Sequence, residues 1–531
     1  MNGPAKAWLL PLIPLWICSA STATTINVPS EQPTIQAGID AASYGDTVLV
    51  ACDTYYEHGI LMKSGVHLLS ETGDPDCVTI DAEEQTFVVK CNAVDANSSI
   101  RGFTLTRGTV SGLLCTSSSV ALEECRFTLN SCPYFGGGAY CYGSSCSPTF
   151  TSCIFSDNYA DDDGGGLSCP NSTTPATITD CVFVGNEARD CGGGMNCYMS
   201  SSPIVTGCTF EENLADYGGA VNIERSSEPV FTDCAFLTNQ ASVTGGGVYS
   251  SWESRPTFVA CSFTGNDANH GGGMSTGEAL LTDCTFSENY AEYNGGGLRH
   301  GGDITETLSL TRCSFSDNSA GDHGGGVHWY NAHSYVLTDC TFDRNEATYG
   351  GGAYSAYSAP PTSDCSLVGC TFSENIATYG GGMYYQTSGY PTLTGCTFVG
   401  NEATDAGGMT CFGTHPALTN CIIALSEAGT AFHCAGTTAS AELVCCDVFG
   451  NAGGDWVDCI ADQHGVNGNF SEDPLFCLFD NPDSLFSLHE GSPCLPESSP
   501  CGELVGALGQ GCGPISPVAR TSWGLIKAMF R

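Results

Sequence analysis

Lysine is nearly missing. Four lysines stand in 531 residues, and all basic side chains number 15 against 57 acidic ones, a formal charge of −42. So acidic a surface repels nucleic acid and anionic membrane, and neither is expected as a partner. It also disfavours acidic polysaccharide unless Ca²⁺ bridges, and in itself it keeps a glycine-rich rod soluble. Beyond residue 23 no run of eighteen apolar residues occurs, so no transmembrane span is expected in the mature chain. No repeating unit holds an apolar stripe of helix length, which excludes helix-pair solenoids. No compact C-x-x-C pair occurs among the 33 cysteines, which weakens a cysteine metal site.

What is present is a repeat. The pattern C-x-F-x-x-N-x-A, then a glycine pair or triple and an apolar residue, begins at Cys125 (where Cys132 replaces the alanine), Cys153, Cys181, Cys208, Cys234, Cys261, Cys284, Cys313, Cys340, Cys370 and Cys396. First to last is 271 residues in ten steps, a period of about 27, which marks a solenoid. Worn copies follow at Cys421 and Cys446. Each unit holds three short apolar bursts, such as Gly407–Cys411, Ala417–Thr419 and Cys421–Ile423, which suits one coil of a parallel β-helix. Cysteine and phenylalanine stand two apart and so share one face of a strand. Interior ladders are therefore expected: Cys234, Cys261, Cys284, Cys313 and Cys340; Phe236, Phe263, Phe286, Phe315 and Phe342. Asn239, Asn266, Asn289, Asn318 and Asn345 suit a left-handed turn, each amide bonding to the asparagine of the next coil. Thirteen coils about 4.8 Å apart would make a rod of roughly 60 Å.

The pairing of F-x-x-N with G-G-[A/L/M/V] over residues 125 to about 410 resembles the repeat of the polymorphic outer-membrane proteins, a bacterial autotransporter family. More broadly it is similar to the pectate-lyase-like superfamily. The resemblance implies an all-β, single-stranded right-handed parallel β-helix of about 13 or more coils, secreted or held at the bacterial cell surface or outer membrane. It also implies an adhesive role. Family members end in a membrane β-barrel, and the 85 residues after Cys446 are too few for one.

Residues 1–23 read as a signal peptide, with Lys6, an apolar stretch and small residues up to Ala23. Residues 24–124 read as an N-terminal cap and irregular first coils, with a short helix over 33–42 plugging the open end. The repeat β-helix occupies 125–450, the last coils and a Cys/Pro-rich cap 451–513, and a linker and tail 514–531 that could carry a sorting signal. Export favours disulfides, but the ladder cysteines, and a second row at Cys141, Cys169, Cys197 and Cys411, are expected to behave as small buried thiols. The better disulfide candidates are Cys52, Cys77, Cys91, Cys459, Cys477, Cys494, Cys501 and Cys512.

No strand face assembles the carboxylates and base that a lyase or glycosidase needs, so a non-catalytic scaffold or adhesin is expected, with a carbohydrate-active enzyme as the alternative. The only cofactor suggested is Ca²⁺, at Asp161, Asp162, Asp163, Asp190 and Asp216 in three successive loops; a solvated acidic edge partnered by Arg189 is the favoured alternative. His270 and His323 lie two coils apart around Asn294, too far for one zinc. Two residues beyond the last glycine stand Tyr249, Ser275, Arg299, His328, Tyr354 and Tyr384, with Trp329, Tyr357, Tyr385 and Tyr390 nearby. Such a row, facing outward, offers a platform for a polysaccharide or a surface protein, centred on Arg299, His328, Tyr354 and Tyr384; cross-strand support of the sheet is the alternative.

Overall fold

The computed structural model describes residues 23–513 apart from 172–173, 252, 302–306, 331–333, 357–364, 387–388, 437 and 478–485. Residues 1–22 of the expected signal segment 1–23, the tail at 514–531 and Tyr357 lie outside the described residues.

Every repeat is one coil of a parallel β-helix. The coil of Cys234 has strands Val230–Thr232, Ala235–Leu237, Gln240–Thr244 and Val248–Ser250. Their counterparts in successive coils pair in parallel, giving a leading wall of 17 strands, a phenylalanine wall of 16, and a third, glycine wall of two arms. The arm before the glycines is an element beyond the three bursts visible in the sequence. At about 4.8 Å per coil the leading wall spans roughly 80 Å.

The interior is built of like on like. Phe127 pairs with Phe155 in the phenylalanine wall, and the register runs unbroken through Phe236, Phe263, Phe286, Phe315 and Phe342 to Phe398. Ring centroids of neighbouring coils lie 4.4 to 5.1 Å apart with planes within 10°. Cys234, Cys261, Cys284, Cys313 and Cys340 are buried as free thiols beside them. Burial forbids water and the stack supplies no oxidised partner, so they pack as small apolar groups.

The asparagines do not take the left-handed conformation. The residue before each does: Thr238, Gly265, Glu288, Asp317 and Arg344 all have φ between 50° and 64°. For non-glycine residues that costs about 1–2 kcal/mol each. The following asparagine offsets it. Asn266 donates its backbone N–H and its Nδ2 to Asn289 Oδ1 at 3.0 and 2.9 Å, and Nδ2 also reaches the carbonyl of Phe236 at 2.9 Å. Asn239, Asn289, Asn318 and Asn345 repeat the pattern, so each buried amide ties three coils together.

The glycine bend is equally constrained. Gly245 has φ +71°, and a Cβ on Gly246 would stand 2.4 Å from the carbonyl oxygen of Gly272. No side chain fits where successive bends touch backbone to backbone.

The helix Ile35–Ala41 lies against the first coils, with Ile35 and Ile39 fully buried. Thr34 caps it by accepting from Ala37 N–H, and the Glu57 carboxylate accepts from Ile35 N–H at 2.8 Å. At the other end Leu488, Leu495 and Val505 pack on the outward-facing Ile422 and Ala424, so the Cys-rich segment grips the flank of the last coils. Disulfides join Cys52–Cys77, Cys434–Cys459, Cys445–Cys501 and Cys477–Cys512. Six of the eight expected cysteines are thus bridged. Cys91 and Cys494 are instead buried thiols, because Cys91 stacks in register on Cys115 and Cys494 donates to Asp447.

Two outcomes follow. Ladder thiols should resist alkylation in the native protein and react after denaturation without reductant; a mass corresponding to Cys234 bridged to Cys261 would count against buried thiols. Asn289→Ala should destabilise by about 2 kcal/mol or more, since it orphans the N–H of Asn266 and the carbonyl of Phe263; denaturant titration measures it.

Candidate functional site: a groove along the glycine wall

The two arms of the glycine wall meet at the bend, and their outer faces turn toward each other. Before the bend one row runs Phe135, Asp163, Cys191, Tyr217, Thr244, His270, Asn294, His323, Tyr349 and Tyr379. After it the facing row runs Asn196, Asn222, Tyr249, Ser275, Arg299, His328, Tyr354 and Tyr384. The rows touch across the bend: Asn196 Nδ2 donates to Asp163 Oδ2 at 3.2 Å, and the rings of Tyr217 and Tyr249 lie 5.5 Å apart. The result is a groove along the rod whose chemistry changes from coil to coil.

Its acidic end is a cleft of about 580 Å³ lined by Phe135, Asp162, Asp163, Asp190, Cys191, Tyr198, Tyr217, Glu224, Arg225 and Tyr249. Asp163 is only 8% exposed. Burial, then the charges of Asp162, Asp190 and Glu224, push its carboxyl up to about 7. Burial also raises Glu224, followed by Asp190, against a hydrogen bond from Asn222. Asp162 is raised by burial and by Asp190. Near neutral pH the cleft therefore holds a proton among carboxylates that cannot all ionise together. Ligand atoms of Asp163, Asp190 and Cys191 lie within 4.8 Å of one another. Two carboxylates and a thiol are a poor match for the six to eight hard oxygens of Ca²⁺.

The centre of the groove is basic. Asn294 joins the two histidines flanking it: its Oδ1 lies 2.8 Å from His323 Nδ1 and its Nδ2 3.3 Å from His270 Nδ1. Burial lowers both histidines, and lowers His328 well below the usual imidazole range, so all three are neutral at pH 7. Arg299 lies in the facing row. Beyond it His323 packs 4.3 Å from Tyr354, and Tyr349 lies edge-on to Tyr384 at 5.4 Å.

The structure sorts the residues expected from the sequence. Asp162, Asp163 and Asp190 share one cleft. Asp161 instead accepts from Tyr159 Oη at 2.9 Å, and Asp216 from Ser242 Oγ. The expected five-carboxylate set is not assembled, because alternate side chains of the loop point away from the bend. Arg299, His328, Tyr354 and Tyr384 do share one register, but not an open platform. His328, Tyr354 and Tyr384 are 4, 3 and 8% exposed, because the bend folds His323 and Tyr349 over them. Trp329 and Tyr385 face the interior, where Trp329 stacks on Tyr335 at 4.6 Å. Tyr390 is exposed beside His415. Glu224, Tyr198 and Tyr217 were missed. Glu224 stands two residues beyond Asn222 on the same strand face, a spacing that places it in the groove.

Asp163 gives a pH test. Its folded pKa near 7 exceeds the unfolded value near 3.8, so between those pH values the native state binds the extra proton and stability falls as pH rises. Asp163→Asn should remove this dependence, making the variant more stable than wild type at pH 8 by roughly 1.4 kcal/mol per unit of the raised pKa, with no difference near pH 4. Denaturant melts at the two pH values decide it.

A family model described as right-handed beta helix region matches residues 36–210, 177–291 and 299–470. None of the curated proteins compared matches the chain. Parallel coils, stacked interior ladders and a match over most of the sequence agree: the chain belongs to the right-handed β-helix family.

Proposed function

We propose that this protein is an exported or cell-surface β-helix that binds an extended saccharide chain in the groove of its glycine wall, as an adhesin does, without chemistry on it. The observation that carries the reading is the 580 Å³ cleft in which Tyr198, Tyr217 and Tyr249 stand among carboxylates and a guanidinium. Ring faces take the apolar face of a sugar, and carboxylates hold its hydroxyls. Four disulfides support an oxidising compartment. Binding belongs to this open end rather than to Tyr354 and Tyr384, which are buried and stack face to face with planes within 8°, whereas Tyr217 and Tyr249 are tilted 52° to each other at the cleft.

A second reading rests on Asp163. A carboxyl that keeps its proton near neutral pH, beside the second carboxyl of Glu224, is the pairing that glycoside hydrolysis uses. Incubation of the purified protein with a panel of polysaccharides separates the two. Retention without new reducing or unsaturated ends is expected; product that disappears in Asp163→Asn would replace binding by hydrolysis. Tyr217→Ala with Tyr249→Ala should weaken retention about thirtyfold, in line with about 1 kcal/mol per stacked ring. Tyr354→Ala with Tyr384→Ala should lower stability and leave retention nearly unchanged.

A further inference from the structure

Most arginines with described contacts answer a carboxylate. Arg107 pairs with Asp81, Arg126 with Asp76, Arg255 with Glu278, Arg312 with Asp283 and Arg344 with Asp317. Arg299 does not. It is half-buried in the groove wall, no ion pair reaches it among the described residues, and its Nε is buried without a hydrogen-bond partner. Its one side-chain bond is a long one, Nη1 to Ser275 Oγ at 3.5 Å. The phenols of Tyr249 and Tyr330 and the imidazoles of His270, His300 and His328 lie within electrostatic reach of it, and none of them is a carboxylate.

The guanidinium lies over Gly301, two residues on, where a Cβ would stand 3.5 Å from its Cζ and Nη2. Tyr249, Ser250, Ser275, Thr276, Arg299 and Gly301 line a pocket of about 210 Å³ there, separate from the acidic cleft and sharing only Tyr249 with it. His328, next to Arg299 in register, is buried and its Nδ1 has no partner. A guanidinium cannot shed its proton, so a desolvated one without a counter-charge is costly to keep. The hydroxyls of Ser275 and Tyr249, which line the pocket beside it, are donors of the kind an anion needs.

We propose that Arg299, with Ser275 and Tyr249, forms a pocket for an oxyanion, a carboxylate or sulfate group that supplies the missing counter-charge. This goes beyond saccharide binding and stands without it, since the pocket would take a free anion as well as one borne on a sugar. It also corrects what net charge implies: a chain of −42 carries one local site of the opposite preference.

The test is calorimetric titration of the full chain with sodium sulfate, sodium glucuronate and neutral glucose at constant ionic strength. Wild type should bind sulfate, glucuronate or both, and not glucose. Arg299→Gln should weaken that binding at least tenfold, Arg299→Lys severalfold, and Arg312→Gln, at an exposed ion pair, not at all. Sulfate alone points to a sulfate group, glucuronate alone to a carboxylate, and both to any small oxyanion. Modification of wild-type Arg299 by phenylglyoxal, read by mass spectrometry, should be slowed by the bound anion; this arm stands even if the variants fail to fold. No binding of either anion by wild type, or equal binding by a folded Arg299→Gln, overturns the proposal. Loss of polysaccharide retention with sulfate binding intact would sink only the saccharide reading.

Discussion

Stacking at about 4.8 Å makes each interior residue the neighbour of its own counterpart, and the other features follow from that condition. In the ladders a position is occupied by a side chain content to meet itself above and below. Phenylalanine satisfies it by parallel ring stacking, and cysteine by being small and apolar. Asparagine satisfies it with an amide that is donor at one end and acceptor at the other. Charged residues fail it, which is why the acidic side chains of the repeat region stand in turns and on outer faces.

The same condition makes the bend. Successive coils touch through backbone at Gly246 and Gly272, so the turn is sharp and the arms on either side converge. Convergence brings outward-facing residues into partial burial without placing them in the core. There the rule of like on like relaxes, since a groove residue has solvent or a cross-groove partner to answer it. Chemical variety is therefore greatest outside the Phe, Cys and Asn ladders: in the two rows that line the groove, and in the inward row after the glycines, which runs Ile223, Ser250, Thr276, His300, Trp329, Ser355 and Tyr385.

This divides what was legible from what was not. The coil period, the inward Cys and Phe faces and the Asn ladder could be read because each recurs with every coil. The register of Arg299, His328, Tyr354 and Tyr384 was legible too, counted from the glycines. Their burial was not, because nothing local in a strand shows that another arm of the same coil folds over it. For the same reason Asp163 read as part of a solvated edge, and Glu224 was passed over. The disulfides followed position rather than pattern: the buried ladder cysteines stay reduced, Cys52 and Cys77 bridge two early coils, and Cys434 and Cys445, in worn coils, pair with cysteines beyond the repeat.

The groove sets two ionisable groups the same problem and they answer it differently. Asp163 is buried and Arg299 half-buried, and neither has an ion pair among the described residues. They stand five coils apart, roughly 24 Å, well beyond a Debye length at physiological salt, so neither neutralises the other. A carboxyl can take up a proton, and Asp163 does so near neutral pH. A guanidinium has no such way out, because burial lowers its pKa without bringing it near neutrality. The charge at Asp163 can therefore be settled by solvent protons alone, whereas the charge at Arg299 persists and must be answered by solvent or by a counter-ion.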